Sequence, residues 1–214
     1  SYEGDSKFFV GGGVAVFDCD DDGFDDLYFA GGAAPAGLHR NRSEVGGVLQ
    51  FERLESPITD LTEVTGAYPI DIDSDSVVDV AVLRRGANVV LRGLGDCRFE
   101  DASERFGLDG GDDWTTAFSA TWEQTSLLPT LAFGNYRAID ADACAESFVV
   151  RPDPAADGYR TPIPIPGYCT LSVLFSDWDR SGQRDLRVSN DRNYYAVGQE
   201  QLWRMPPDEG PQEY

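Results

Sequence analysis

Short apolar runs with alternating or β-branched residues recur along the whole chain and predict β-strands. The clearest runs form a pair on either side of an acidic loop, as with residues 14–17 and 27–30. Only residues 102–106, which follow Asp101, favour a turn of helix. We therefore predict an all-β chain, with further strands at residues 49–52, 80–83, 89–92, 98–100, 131–135, 186–188 and 201–204.

The paired strands and their loop repeat at a fixed spacing. The acidic loop at residues 18–26 returns at residues 71–79, which is 53 residues later, and again at residues 177–185, a further 106 residues along. Because 106 is twice 53, a degenerate copy is expected midway, and residues 122–130 keep the strand pattern without the acidic residues. Three to four strands per repeat are typical of one β-propeller blade. We predict four such repeats within residues 1–205.

Two segments depart from this repeat. Residues 138–168 contain a proline-rich stretch and are predicted to be a long inserted loop. Residues 206–214 include further prolines and are predicted to be a linker or tail that adds no core element.

The acidic loop has the form Asp-x-Asp-x-Asp-Gly-x-x-Asp. Side-chain oxygens at positions 1, 3, 5 and 9 and the carbonyl oxygen at position 7 can converge on one point, and the glycine at position 6 allows the sharp turn. Oxygen-only sets of about six to eight ligands suit calcium, whereas magnesium demands a tighter octahedron. The first loop matches throughout, and its predicted ligands are Asp18, Asp20, Asp22, Asp26 and the carbonyl of Phe24.

The remaining copies differ from this pattern. In the second loop Ser76 replaces the glycine, and the predicted ligands are Asp71, Asp73, Asp75, Asp79 and the carbonyl of Val77. In the fourth loop a serine replaces one carboxylate and weakens the site, whose predicted ligands are Asp177, Asp179, Ser181, Asp185 and the carbonyl of Gln183. The third loop has only Trp122, Gln124, Ser126 and Thr130 at these positions and is predicted to be empty. The sequence thus predicts about three calcium ions.

Acidic loops can also arise from simple turns or from an EF-hand. Aspartates often form turns through hydrogen bonds to the backbone. However, four carboxylates within nine residues repel one another without a counter-ion, and the arrangement recurs at a common spacing. An EF-hand requires a glutamate at position 12, where this chain has Phe29, Val82 and Val188, and is excluded.

Charge and cysteine content bear on the compartment. The formal net charge is −21, with 26 aspartates and a single lysine, and such a chain repels nucleic acid and anionic membranes. No apolar run is long enough to span a bilayer. The four cysteines lack metal-ligand spacing and so argue against zinc. Two disulfides in an oxidising compartment are favoured over four free thiols, with the pairs Cys144–Cys169, which bracket the proline-rich stretch, and Cys19–Cys97.

The acidic loops resemble those of the FG-GAP/VCBS repeat family, whose members include the integrin α-chain propeller. Residues 9–15, Asn41 with Arg42, and the segments 189–192 and 199–203 are similar to the cartilage acidic protein and ASPIC/UnbV group. The resemblance covers about residues 8–205 and implies an exported propeller of about seven blades. Since only four repeats are present, we expect part of a larger propeller, a self-closing four-unit assembly, or a ring completed by a second chain, and favour the first.

The resemblance implies a calcium-stabilised binding, adhesion or scaffold module that is secreted, periplasmic or on the cell surface, with a protein or glycan partner. One alternative is a subunit of a larger envelope or extracellular assembly, with interface anchors such as Trp114, Tyr194, Tyr195 and Trp203, although aromatics in a propeller are more often core. A propeller-based enzyme such as a hydrolase is the other alternative. The single histidine, His39, lacks a nucleophile motif nearby, so no catalytic residue is assigned.

Overall fold

The computed structural model describes residues 12–108, 111–123, 126–139, 142–191, 199–207 and 209–214. The chain divides into two compact units, residues 1–110 and 111–214. Four residues or segments named in the sequence predictions lie outside the described part: residues 9–11, Gln124, Arg192, and Tyr194 with Tyr195.

The first unit contains two four-stranded antiparallel sheets, each with its strands in chain order. The first sheet consists of β1 (Gly13–Phe17), β2 (Asp26–Ala30), β3 (Gly37–Asn41) and β4 (Phe51–Leu54). The second sheet consists of β5 (Val64–Ile70), β6 (Asp79–Arg84), β7 (Val89–Gly93) and β8 (Phe99–Asp101), and is followed by the single-turn helix α1 (Ser103–Phe106).

The second unit repeats this arrangement. Its sheets consist of β9 (Trp114–Thr121), β10 (Thr130–Arg137), β11 (Ser147–Val150) and β12 (Ile163–Ile165), and of β13 (Thr170–Ser176), β14 (Asp185–Asn190), β15 (Gln201–Arg204) and β16 (Gln212–Glu213). The prediction of an all-β chain is confirmed, and each predicted loop connects the first two strands of one sheet.

Alternation of side chains along the strands builds the core of each unit. In β1, Ala15 and Phe17 are buried while Val14 and Val16 are exposed, as expected for a strand with one covered face. Strand β6 is buried on both faces and reads as a continuous apolar run. Both predicted disulfides are confirmed: Cys19–Cys97 joins the first two sheets, and Cys144–Cys169 lies within the second unit.

The proline-rich residues 138–168 do not form a loop outside the repeat. They include β11 and β12, which complete the third sheet. Pro164 is tolerated in β12 because this is an edge strand of its sheet, the position to which strand prolines are largely confined. Residues 206–214 likewise include β16, which pairs with β15 at the edge of the fourth sheet. In the described part of the chain, no helix is long and apolar enough to cross a membrane.

Candidate metal centres

The three acidic loops share one backbone conformation. Position 4 has a left-handed φ of 58° at Asp21, 59° at Ser74 and 60° at Arg180. Position 6 is also left-handed, at Gly23 and Gly182 as the motif predicts, and at Ser76 with a φ of 69°. The second loop therefore adopts the same turn although it lacks the glycine that favours it.

A common set of hydrogen bonds holds this turn. The position-1 carboxylate accepts the backbone N–H of position 6, at 2.8 Å between Asp18 Oδ2 and Gly23 N and at 3.0 Å between Asp71 Oδ2 and Ser76 N. Burial alone would raise the pKa of Asp18, but these backbone donors outweigh it and lower that pKa. The first aspartate of each loop is thus a turn former as well as a predicted ligand.

The position-9 aspartates of the first two loops are buried, and their carboxylates accept hydrogen bonds from both the loop and a neighbouring strand. The motif does not predict this role. Asp26 is fully buried; its Oδ2 accepts the N–H of Cys19 at 2.8 Å and its Oδ1 accepts the N–H of Asn41 at 2.7 Å. Asp79 makes the equivalent bonds to Ile72 N and Gly93 N. Each carboxylate therefore links its loop to the third strand of its sheet. Burial raises the pKa of Asp79 to about 6.

Gly93 allows the third strand to approach the second loop closely. A Cβ on Gly93 would lie 2.4 Å from the carbonyl oxygen of Val78, which is a backbone atom and has little freedom to move. Gly93→Ala is expected to destabilise the protein by about 1–3 kcal/mol, as overpacking does. Thermal unfolding checks this, with Gly210→Ala as the control because its Cβ would meet open space. Equal melting temperatures for the two variants would contradict the steric effect.

The first two loops each bring three carboxylates together. One oxygen from each of Asp18, Asp20 and Asp22 lies within 4.8 Å of the others, and the same holds for Asp71, Asp73 and Asp79. Asp26 and Asp75 fall outside these two sets; Asp26 accepts backbone N–H groups, and Asp75 contacts Arg92. The structure thus gathers three of the four predicted side-chain ligands in each loop.

The position-3 aspartates have carboxylate oxygens without a donor. The Asp20 side chain is 2% exposed, the Asp73 side chain is 8% exposed, and Oδ1 of each is buried without a hydrogen-bond partner. Burial raises the pKa of Asp20, although Arg40 opposes the rise. A buried anionic oxygen without a donor is costly, and a cation would satisfy it. These residues therefore fit a hard divalent cation.

Two arginines from the third strands also enter these loops, and the motif gives no sign of them. Arg40 Nη2 contacts Asp20 Oδ2. Arg92 Nε donates to Asp73 Oδ2 at 2.6 Å, and Arg92 Nη2 donates to Asp75 Oδ2 at 2.5 Å. Each guanidinium neutralises part of the charge that the loop gathers.

The fourth loop keeps the turn but is more open. Gly182 N donates to Asp177 Oδ2 at 3.0 Å, and Asp177 Oδ1 is buried without a partner. Asp179 and Ser181 are exposed, and Asp185 Oδ2 accepts hydrogen bonds from Trp178 Nε1 and the Tyr214 hydroxyl. Among the described residues, the fourth loop is not one of those that gather three carboxylates.

The third loop has an ion pair where the first two loops have a carboxylate cluster. Its Glu123 Oε1 accepts from Arg151 Nε at 3.1 Å. The Ser126 hydroxyl donates to the carbonyl of Leu128, and Thr130 Oγ1 is buried without a partner. The described residues of this loop thus offer hydroxyls and one paired carboxylate.

The single histidine and the two tryptophans considered as interface anchors pack against other side chains of the protein. His39 packs edge-on against Phe29, and burial together with Arg53 lowers its pKa. Trp114 is 9% exposed and packs against Tyr136, and Trp203 lies in the core of the second unit. Both tryptophans are therefore core residues.

The likeness to FG-GAP/VCBS repeats rests on the acidic loops. No protein-family model matches the sequence, and no curated protein matches it significantly. The family assignment therefore stays a prediction.

Proposed function

We propose that the four sheets are blades of a β-propeller whose acidic loops bind calcium, and that the protein is a binding or scaffold module outside the cytoplasm. The observation that carries the calcium proposal is the pair of buried, donor-free oxygens on Asp20 and Asp73, at the same position of two loops. Calcium in such a loop would hold the connection between two strands, so its role is structural. The two disulfides fit an oxidising compartment.

The propeller is supported by the regularity of the sheets. Each is a four-stranded antiparallel meander in chain order, and the loop between its first two strands occupies the same place every time. This is the construction of a propeller blade. The likeness of the loops to FG-GAP/VCBS repeats points to the same architecture and to blades beyond the four described.

An exposed apolar face on the first sheet supports the proposal that the protein binds a partner. Val14, Val16 and Phe29 are 47%, 48% and 42% exposed, and Val14 pairs directly with Phe29 across β1 and β2. Clustered apolar side chains of this kind mark contact surfaces. A further blade, or another chain that completes the propeller, would cover this face, while the net charge of −21 disfavours nucleic acid as a partner.

Calcium is expected to raise the melting temperature of chelator-treated protein. A site filled at about 100 times its Kd adds about 2.7 kcal/mol. In a chain of this size that raises Tm by roughly 5–10 °C. Thermal unfolding in excess calcium chloride and in chelator measures the shift, and elemental analysis after dialysis counts the ions, with about three expected.

A matched pair of variants makes the calcium test specific. Asp20→Asn with Asp73→Asn removes the two carboxylates that carry the donor-free Oδ1 atoms and is expected to abolish most of the shift. Asp25→Asn with Asp96→Asn removes the same charge outside the two carboxylate clusters and should leave the shift unchanged. No shift and no bound ion in the unmodified protein would refute the calcium proposal.

A further inference from the structure

An arginine occupies the same register position in all four sheets. The second and third strands pair Leu27 with His39, Val80 with Leu91, Leu131 with Val150 and Leu186 with Trp203. The residue just before each of these second-strand residues is position 9 of the loop in that sheet. By the same antiparallel register, it lies opposite an arginine in or directly after the third strand of every sheet. These arginines are Arg40, Arg92, Arg151 and Arg204.

The guanidinium at this position contacts a loop carboxylate in three of the four sheets. Arg40 contacts Asp20, Arg92 contacts Asp73 and Asp75, and Arg151 contacts Glu123. Arg204 instead packs over the ring of Tyr214, with its Cζ 4.8 Å from the ring centroid. The loops thus differ in how many of their carboxylates the arginine contacts, and the second loop has the most, with two.

In the second loop, the arginine and a cation require the same carboxylates. Asp73 and Asp75 are predicted ligands, and Arg92 holds Oδ2 of both within 2.6 Å. Further interactions at this cluster are weaker: Arg105 Nη1 lies 3.9 Å from Asp73 Oδ2, and Arg92 Nη1 lies 3.5 Å from Glu100 Oε1. A divalent ion on these carboxylates would face the guanidinium at short range and would be repelled by it.

We propose that Arg92 is an internal counter-ion that holds the second loop when no divalent cation is bound and that calcium must displace, and that Arg40 does the same in the first loop. This inference rests on the proposed calcium function. Displacing the arginine lowers the affinity for calcium, because each calcium that binds breaks a charge-assisted hydrogen bond between the guanidinium and a carboxylate. In the third loop, which has no aspartates, the arginine pairs with a single carboxylate, that of Glu123 at loop position 2.

The test compares Arg92→Met with Arg98→Met. Arg98 lies in the same unit, its side chain is 66% exposed, and its carboxylate partner Asp96 is outside the loop. Both variants remove one positive charge, so the difference between them reports the contact with the loop. Calorimetric titration of chelator-treated protein with calcium chloride measures affinity, and thermal unfolding in chelator measures the stability of the calcium-free state.

Arg92→Met is expected to tighten one class of calcium site on the order of tenfold relative to Arg98→Met, the size of Coulomb repulsion between a divalent ion and a unit charge about 5 Å apart in water. In chelator the same variant is expected to melt at a lower temperature than Arg98→Met, and calcium should reduce or reverse that difference. The two effects have opposite signs, which a merely structural role for Arg92 would not produce.

Each remaining outcome overturns a defined part of the proposal. Calcium affinity that is equal or weaker in Arg92→Met than in Arg98→Met, with binding intact in the unmodified protein, refutes the counter-ion role alone. No calcium binding in any of the three proteins refutes the proposed function and this inference with it. If Arg92→Met does not fold, Arg92→Gln decides: it removes the charge and keeps a hydrogen-bond donor, and affinity no tighter than that of the unmodified protein overturns the proposal.

Discussion

Replacing Cys19 and Cys97 together by alanine is expected to lower the free energy of unfolding by about 4.5 kcal/mol, the value that loop-closure entropy gives for this separation. The disulfide closes a loop between residues 78 apart in sequence, so removing it releases much conformational freedom in the unfolded chain. The bond also ties the first acidic loop to the turn between β7 and β8, where Cys97 N donates to the carbonyl of Cys19 at 2.9 Å. Equilibrium denaturation followed by circular dichroism measures the loss.

The second disulfide provides the internal comparison. Cys144 and Cys169 are 25 residues apart, so their joint replacement is expected to cost less, about 3.5 kcal/mol. A larger loss for this pair than for Cys19 and Cys97 would contradict the entropic origin of the effect. The order of the two losses matters more than either value, because strain and residual structure affect both variants.

Asp26→Ala is expected to destabilise the protein by about 3–4 kcal/mol, in chelator as well as in calcium. The substitution leaves the N–H groups of Cys19 and Asn41 buried without an acceptor. Asp25→Ala is the matched control, since the neighbouring side chain is exposed, and it should change stability by no more than about 0.5 kcal/mol. Chemical denaturation of both variants, with and without calcium, gives the comparison.

The measurement in chelator distinguishes the two roles of Asp26, calcium binding and hydrogen bonding to the backbone. A carboxylate that only binds calcium would be dispensable once calcium is removed, so a loss seen solely in calcium would contradict the structural tie. Asp26→Asn offers a graded check. Its amide oxygen keeps one acceptor, and we expect it to recover about half of the loss, since only one N–H then lacks a partner.

Much of the local structure could be predicted from the sequence. Loops 18–26, 71–79 and 177–185 begin directly after one strand and end at the first residue of the next. Such features depend on neighbours a few residues away, namely alternating apolar side chains and turn-forming aspartates. The disulfide pairs were also predicted, because a bridge across the proline-rich segment leaves one other pair.

The outer strands were harder to predict. Residues 163–165 and 212–213 are short, flanked by proline and polar residues, and carry little apolar alternation. They form strands because an edge with free N–H and C=O groups is already in place beside them. A strand of this kind is specified by its neighbour more than by its own residues.

The sequence by itself determined where carboxylates accumulate: three loops of one form at one spacing, each between two strands that local pattern predicts. Only the tertiary structure decided which other groups those carboxylates bind. Asp26 and Asp79 are engaged by backbone groups of the third strand, and Arg92 reaches Asp73 from a position 19 residues away in sequence. The physical reason is register, because strand pairing alone brings these donors to the loops, and no spacing within the motif encodes it.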